Sequence, residues 1–132
     1  MALYESGEMY LETILVLSQE LDKVRSIDVA HKMNFSKPSV STAMKHLRED
    51  GYVIFAQDGG ITLTDSGMEI ATKIYDRHKT LVDALNRIGV PAEVACEDAC
   101  RIEHVISDTT MEALKGHMDK VAELLREKAN EQ

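Results

Sequence analysis

The chain has 132 residues, two cysteines, no tryptophan and a formal net charge of −8, and 44% of its residues are hydrophobic. That is enough for one compact domain, or for a small domain with an associating one, built around a real core. No stretch resembles a secretory h-region or an apolar span of about 18 residues. The expectation is therefore a soluble, cytoplasmic protein with no membrane partner, whose cysteines serve thiol or metal chemistry rather than a structural staple.

The acidic balance argues against nucleic acid, but its distribution reverses that locally. Residues 23–50 hold six basic against three acidic residues, whereas residues 1–22 and 93–132 each sum to −5. A basic segment between acidic ones suits one module that binds DNA beside another that does something else. Carboxylate-rich flanks also suit a cation-responsive protein.

Taken in order, Glu5 to Glu20 predicts a helix, with Ser6 as cap and Met9, Leu11, Ile14, Leu15 and Leu17 as its apolar positions. Ser26 to Met33 predicts a short second helix, capped by Ser26. After Asn34-Phe35, Ser36 can cap a third, with Pro38 in its first turn and Gly51 just past its end. Two short helices joined by a tight turn form a helix-turn-helix pattern. Tyr52–Ala56 and Ile61–Thr64 are strand-like, and Gln57-Asp58-Gly59-Gly60 between them signals a hairpin. A helix-turn-helix followed directly by a hairpin is a winged helix.

Asp65-Ser66-Gly67 opens a long helix to about Ile88, and Gly89-Val90-Pro91 ends it. Pro91 suits the first turn of the next helix, which carries Cys96, Cys100, Glu103 and His104. On a helix, positions i, i+3 and i+4 share a face, so Cys100, Glu103 and His104 would present a thiolate, a carboxylate and an imidazole together, half of a sphere for a divalent transition metal. Cys96 extends that stripe one turn earlier. Cβ atoms at i and i+4 lie about 5–6 Å apart, too far for an easy disulfide. A last helix, capped by Asp108, runs through Met111, Leu114, Met118, Val121 and Leu125. The helices after the wing carry more apolar surface than one small domain can hide, so a twofold homodimer is expected.

At the start of the third helix, Ser36, Lys37, Pro38, Ser39, Ser41 and Thr42 offer short side chains that can approach phosphates and base edges, and Lys45 and Arg25 can reach the backbone. A dimer would present two such helices to a palindrome with half-sites about 34–36 Å apart.

Several stretches resemble the diphtheria toxin repressor family of metal-dependent regulators: Ser6-Gly7-Glu8-Met9-Tyr10-Leu11-Glu12-Thr13-Ile14, the turn Ser36 to Ser41, Asp50-Gly51-Tyr52-Val53, Leu63 to Gly67, Arg77-His78 and, above all, Ala99 to Asp108. The resemblance covers the chain to about Leu125. It implies a dimeric winged-helix repressor of metal-ion homeostasis that binds DNA when loaded with Fe²⁺ or Mn²⁺. Carried over, the primary site of the iron-responsive branch falls on Met9, Cys100, Glu103 and His104. His78 matches a ligand of the neighbouring site in both branches. Glu12 matches a ligand of the manganese branch only, whose aspartate is replaced here by Met9 and whose bridging carboxylate is replaced by Cys100. Cys96 falls where the iron branch has an ancillary histidine, and Val82 stands where an ancillary glutamate is expected. That leaves an ancillary site altered, or built from His78, Glu12 and Cys96. The form expected is the short one, without an SH3-like domain.

The fold expected is thus mostly α with a small β-hairpin wing: a winged-helix DNA-binding domain over residues 1–65 and a helical metal-binding and dimerisation domain over 66–132. Thioether and thiolate are softer than carboxylate, which favours Fe²⁺, with Mn²⁺ next. Metal would link the DNA-binding and dimerisation halves, so that metal and DNA each raise affinity for the other. An enzyme is not expected, since there is no His-Glu-x-x-His pair, nucleophile elbow or phosphate loop. Few aromatic residues argue against an organic small-molecule ligand. The alternative is a winged-helix redox sensor working through Cys96 and Cys100.

Overall fold

The computed structural model describes residues 5–131. Its elements run α1 (Glu5–Glu20), α2 (Ser26–Met33), α3 (Lys37–Glu49), β1 (Val53–Phe55), β2 (Ile61–Leu63), α4 (Asp65–Arg87), α5 (Ala92–Ile102) and α6 (Asp108–Asn130). The mostly helical fold with one antiparallel hairpin is the one expected. The chain divides into two compact units, Met1–Tyr75 and Asp76–Gln132.

The first unit is a winged helix. Leu11, Ile14 and Leu15 of α1 recur at helical spacing and are buried with Val29 of α2, with Val40, Met44 and Leu47 of α3, and with Val53 and Ile61 of the hairpin. Its strands pair Val53 with Leu63, Ile54 with Thr62 and Phe55 with Ile61, turning Val53 and Ile61 inward. The Ile61 amide donates to the Val24 carbonyl at 2.7 Å, which ties the wing to the connector before α2. Lys23 pairs with Asp58 at the wing tip, and the Arg48 guanidinium lies 5.2 Å from the Phe55 ring centroid.

Thr64 joins three segments. Its amide donates to the Tyr52 carbonyl (3.0 Å), its hydroxyl donates to the Gly51 carbonyl (2.7 Å), and the same oxygen accepts from the Gly67 amide in the first turn of α4 (3.1 Å). A Cβ at Gly67 would collide with the Tyr52 carbonyl oxygen, so the close approach of α4 to the wing requires glycine there.

Four local expectations shift. Helix α1 already includes Ser6 as its second residue, so Ser6 does not cap it; Glu5 and Glu8 complement the positive helix end instead. The cap of α2 is Arg25, whose amide donates to Asp28 Oδ2 at 2.9 Å, leaving Ser26 inside the helix. Pro91 is the N-cap of α5, not a residue of its first turn. Ser107, rather than Asp108, caps α6, accepting from the Thr110 amide at 3.1 Å. In the last case the hydroxyl one residue upstream reaches the orphan amide first, and Asp108 becomes the first helical residue. Ser36 caps α3 as expected, accepting from the Ser39 amide.

In the second unit Leu81 of α4, Ala99 of α5 and Met111 of α6 form a small core, with Val82, Ile102, Ile106 and Leu114 packed against it. Ile88, Val105, Leu124 and Leu125 stay exposed. No helix among the described residues is long and apolar enough to cross a membrane.

Candidate metal centre and nucleic-acid interface

Helix α5 ends sooner than its apolar spacing predicts. It stops at Ile102, Glu103 takes the C-cap position at φ −58°, ψ −25°, and His104 lies in the turn beyond. The cause is the short run to the Ser107 cap: the Ile102 carbonyl accepts both the Val105 amide (3.0 Å) and the Ile106 amide (2.9 Å), closing the helix so that α6 can begin. Cys100 remains on α5, whereas Glu103, in αR conformation, and His104, in the turn, follow its end.

That turn carries a buried carboxylate with an imidazole on each oxygen. The Glu103 side chain is fully buried, His78 Nδ1 of α4 lies 2.8 Å from Glu103 Oε2, and His104 Nε2 lies 3.3 Å from Oε1. The His104 side chain is fully buried too, whereas that of His78 remains 26% exposed. Imidazole and carboxylate are donor types that suit divalent transition metals, so Glu103 with an imidazole beside each oxygen has the chemistry to hold such an ion. Cys100, half-buried, stands one turn before His104, and Cys96, one turn earlier again, is exposed; the two are not joined by a disulfide.

The remaining candidate donors, Met9 and Glu12, are half-buried residues of α1 in the first unit, three positions apart on one face. Val82 is half-buried against the small core of the second unit, where an apolar side chain belongs.

Arg77, beside His78 in the Arg77-His78 motif, is a buried charge in this unit, 8% exposed. Its Nη1 donates to the carbonyls of Glu103 (3.1 Å) and Ile106 (3.0 Å), and its Nη2 to the Asp108 carboxylate. A signal was there to read: Arg77 falls three residues after Ile74 and four before Leu81, on the buried stripe of α4. A charged residue on a core stripe demands buried partners.

In the first unit, Val40, Met44 and Leu47 bury one side of α3 and leave Lys37, Pro38, Ser39, Ser41, Thr42 and Lys45 exposed. The Ser36 hydroxyl is engaged locally, donating to Ser39 Oγ at 2.8 Å. Ser26 and Ile27 of α2 with Lys37 and Ser41 of α3 line a cleft of about 220 Å³ between two helix N-termini. Such amide-rich helix starts beside a lysine favour a phosphate. Arg25, exposed, stands at the start of α2.

Comparison with known proteins agrees with both units. Residues 2–61 match the iron dependent repressor N-terminal DNA binding domain, and residues 64–126 the iron dependent repressor metal binding and dimerisation domain. The chain is 36% identical over 118 residues to an uncharacterised HTH-type transcriptional regulator of Methanocaldococcus jannaschii, covering 88% of this chain and 94% of that one. It is 31% identical over 106 residues to the transcriptional regulator MntR of Escherichia coli O6:H1, covering 80% of this chain and 68% of that one. Among solved structures, the manganese regulator SloR superposes with a TM-score of 0.75 at 30% identity, covering 90% of this chain; this chain spans 55% of that one. On matches that together span nearly its whole length, the chain belongs to the iron-dependent repressor family.

Proposed function

We propose that this protein is a metal-dependent, DNA-binding transcriptional repressor of metal-ion homeostasis, acting as a cytoplasmic homodimer on a palindromic operator and not as an enzyme. The observation that carries the reading is Glu103, a buried carboxylate with His78 and His104 on its two oxygens, in the segment that matches the family's metal-binding domain. His78, Cys100, Glu103 and His104 would hold the ion, with Met9 and Glu12 as further donors and Cys96 as an ancillary one. The bound ion supplies positive charge and a fixed coordination preference to a carboxylate-rich protein. Residues 1–65 are assigned to DNA binding and 66–132 to metal binding and dimerisation. Exposed Ile88, Val105, Leu124 and Leu125 support a surface that a second copy covers.

Iron is favoured over manganese, because Met9 and Cys100 are soft donors where the manganese type would use carboxylates. DNA contacts are assigned to Arg25, Ser36, Lys37, Pro38, Ser39, Ser41, Thr42 and Lys45. A redox sensor working through Cys96 and Cys100 finds no support among the relatives.

The test is anaerobic fluorescence anisotropy on labelled fragments from upstream of this gene and of neighbouring metal-transport genes. Chelator, Fe²⁺ and Mn²⁺ are compared at fixed ionic strength, since salt alone shifts DNA affinity. Tighter binding with metal is expected, more so with Fe²⁺. Binding indifferent to both ions overturns the reading.

A further inference from the structure

The buried Arg77 spends its hydrogen bonds on one short stretch of chain. Its guanidinium holds the carbonyls of Glu103 and Ile106 and the carboxylate of Asp108, that is, the exit of α5, the turn after it and the first residue of α6. A buried guanidinium is tolerated only when its donors are met, and here the acceptors suit it physically. The Glu103 carbonyl, at the C-cap of α5, lacks an intrahelical partner and sits at the negative end of the helix dipole, and the Ile106 carbonyl lies in the turn beyond, outside either helix. The planar fork can serve several of them at once, which a lysine ammonium cannot do in the same geometry.

What this clasp grips matters. Glu103 and His104 lie within the clasped turn, and the residue next to Arg77 on α4 is His78, whose Nδ1 meets Glu103. Successive helix positions diverge by about 100°, so Arg77 reaches the backbone of the turn while His78 reaches its carboxylate. One turn of α4 thus sets both the backbone of Glu103 and the position of one side-chain oxygen.

We propose that Arg77 is a positioning residue of the metal centre: by fixing the backbone from Glu103 to Ile106 it aims the Glu103 carboxylate and the His104 imidazole before metal arrives. This rests on the reading of His78, Glu103 and His104 as metal donors. Asp108 completes the clasp from the far side of the turn. Residues that orient metal donors typically contribute about 10–100-fold to affinity.

The experiment titrates Co²⁺ into the full chain under anaerobic conditions, following the visible d–d bands, with thermal melting recorded for every variant. Arg77→Met and Arg77→Lys are compared with Asp108→Asn and with the donor variant His104→Ala. Weaker Co²⁺ binding by about 10–100-fold for Arg77→Met, with altered bands and a smaller loss for Arg77→Lys and Asp108→Asn, supports positioning. A purely structural arginine would lower the melting temperature and leave affinity and band shape unchanged well below it; that result overturns the inference. If Arg77→Met fails to fold, Arg77→Lys and Asp108→Asn decide, and unchanged affinity and bands in both overturn it equally. Wild-type binding by His104→Ala overturns the donor assignment itself, and the inference with it. Loss in His104→Ala together with wild-type behaviour in Arg77→Met overturns the inference alone.

Discussion

His78 Nδ1 lies 2.8 Å from Glu103 Oε2, joining two residues 25 positions apart in the chain. The contact brings the middle of α4 to the exit of α5 and gives a buried carboxylate a defined partner. Replacing Glu103 by Gln keeps the shape but removes the charge that a cation needs. We expect Glu103→Gln to fold, to remain dimeric and to lose at least about tenfold in Fe²⁺ or Mn²⁺ affinity, by comparison with substitutions that only orient donors. Metal titration followed by light scattering with and without chelator checks both points, and unaltered metal affinity would remove Glu103 from the site.

Gly67 offers a test of the close approach between the wing and α4. A methyl group there meets the Tyr52 carbonyl oxygen, which is backbone and cannot swing aside. Gly67→Ala is expected to destabilise by about 1–3 kcal/mol, the usual scale of overpacking, even though alanine is the better helix former. Urea unfolding measures this. A variant as stable as the wild type would show that α4 does not pack this tightly.

Asn34 is the residue other than glycine with a left-handed backbone among the described residues, at φ +58°, and its amide closes α2. Asn34→Gly should retain stability within about 1 kcal/mol, whereas Asn34→Val should cost about 1–2 kcal/mol, because a β-branched side chain tolerates the left-handed region far less well than asparagine does. Thermal melts of the two variants separate these outcomes.

Lys37 and Lys45 are exposed on α3 and carry no sequence information if they meet phosphates. Lys37→Ala or Lys45→Ala should weaken binding to every DNA sequence alike and lower the slope of log affinity against log salt by about 1. A variant that instead changed preference between operators would point to base contact.

The Asp58 carboxyl is held below its usual range, first by its hydrogen bond from Lys23 and then by the Gly60 amide. A depressed folded-state value means that the wing-tip pairing is present above the ordinary carboxylate range and is lost as pH falls through the lowered one. Carbon NMR titration of the Asp58 carboxyl should give a midpoint below that of a free aspartate, and Lys23→Met should raise it. An unmoved midpoint would show the pairing to be transient in solution.

Much of this protein is legible from local pattern. Leu11, Ile14 and Leu15 recur at helical spacing, Ser36 and Pro38 mark a helix start, and Asp58-Gly59-Gly60 marks a hairpin turn; each signal depends on neighbours a few residues away, so the order of elements and the winged helix follow from it. Glu103 and His104 could be picked out as candidate donors from their spacing after Cys100, although they lie in the turn beyond α5 and not on the helix. The exit of α5 at Ile102 was not legible, because it depends on where the next helix finds its cap. The burial of Arg77 could be read from its place between Ile74 and Leu81, but its partners could not: they lie 26, 29 and 31 residues away, a separation no local period records. Short-range periodicity is written in the chain. The meeting of His78 with Glu103, and of Arg77 with the turn behind it, exists only once α4, α5 and α6 have packed around Leu81, Ala99 and Met111, because burial is what makes a carboxylate and a guanidinium take these particular partners.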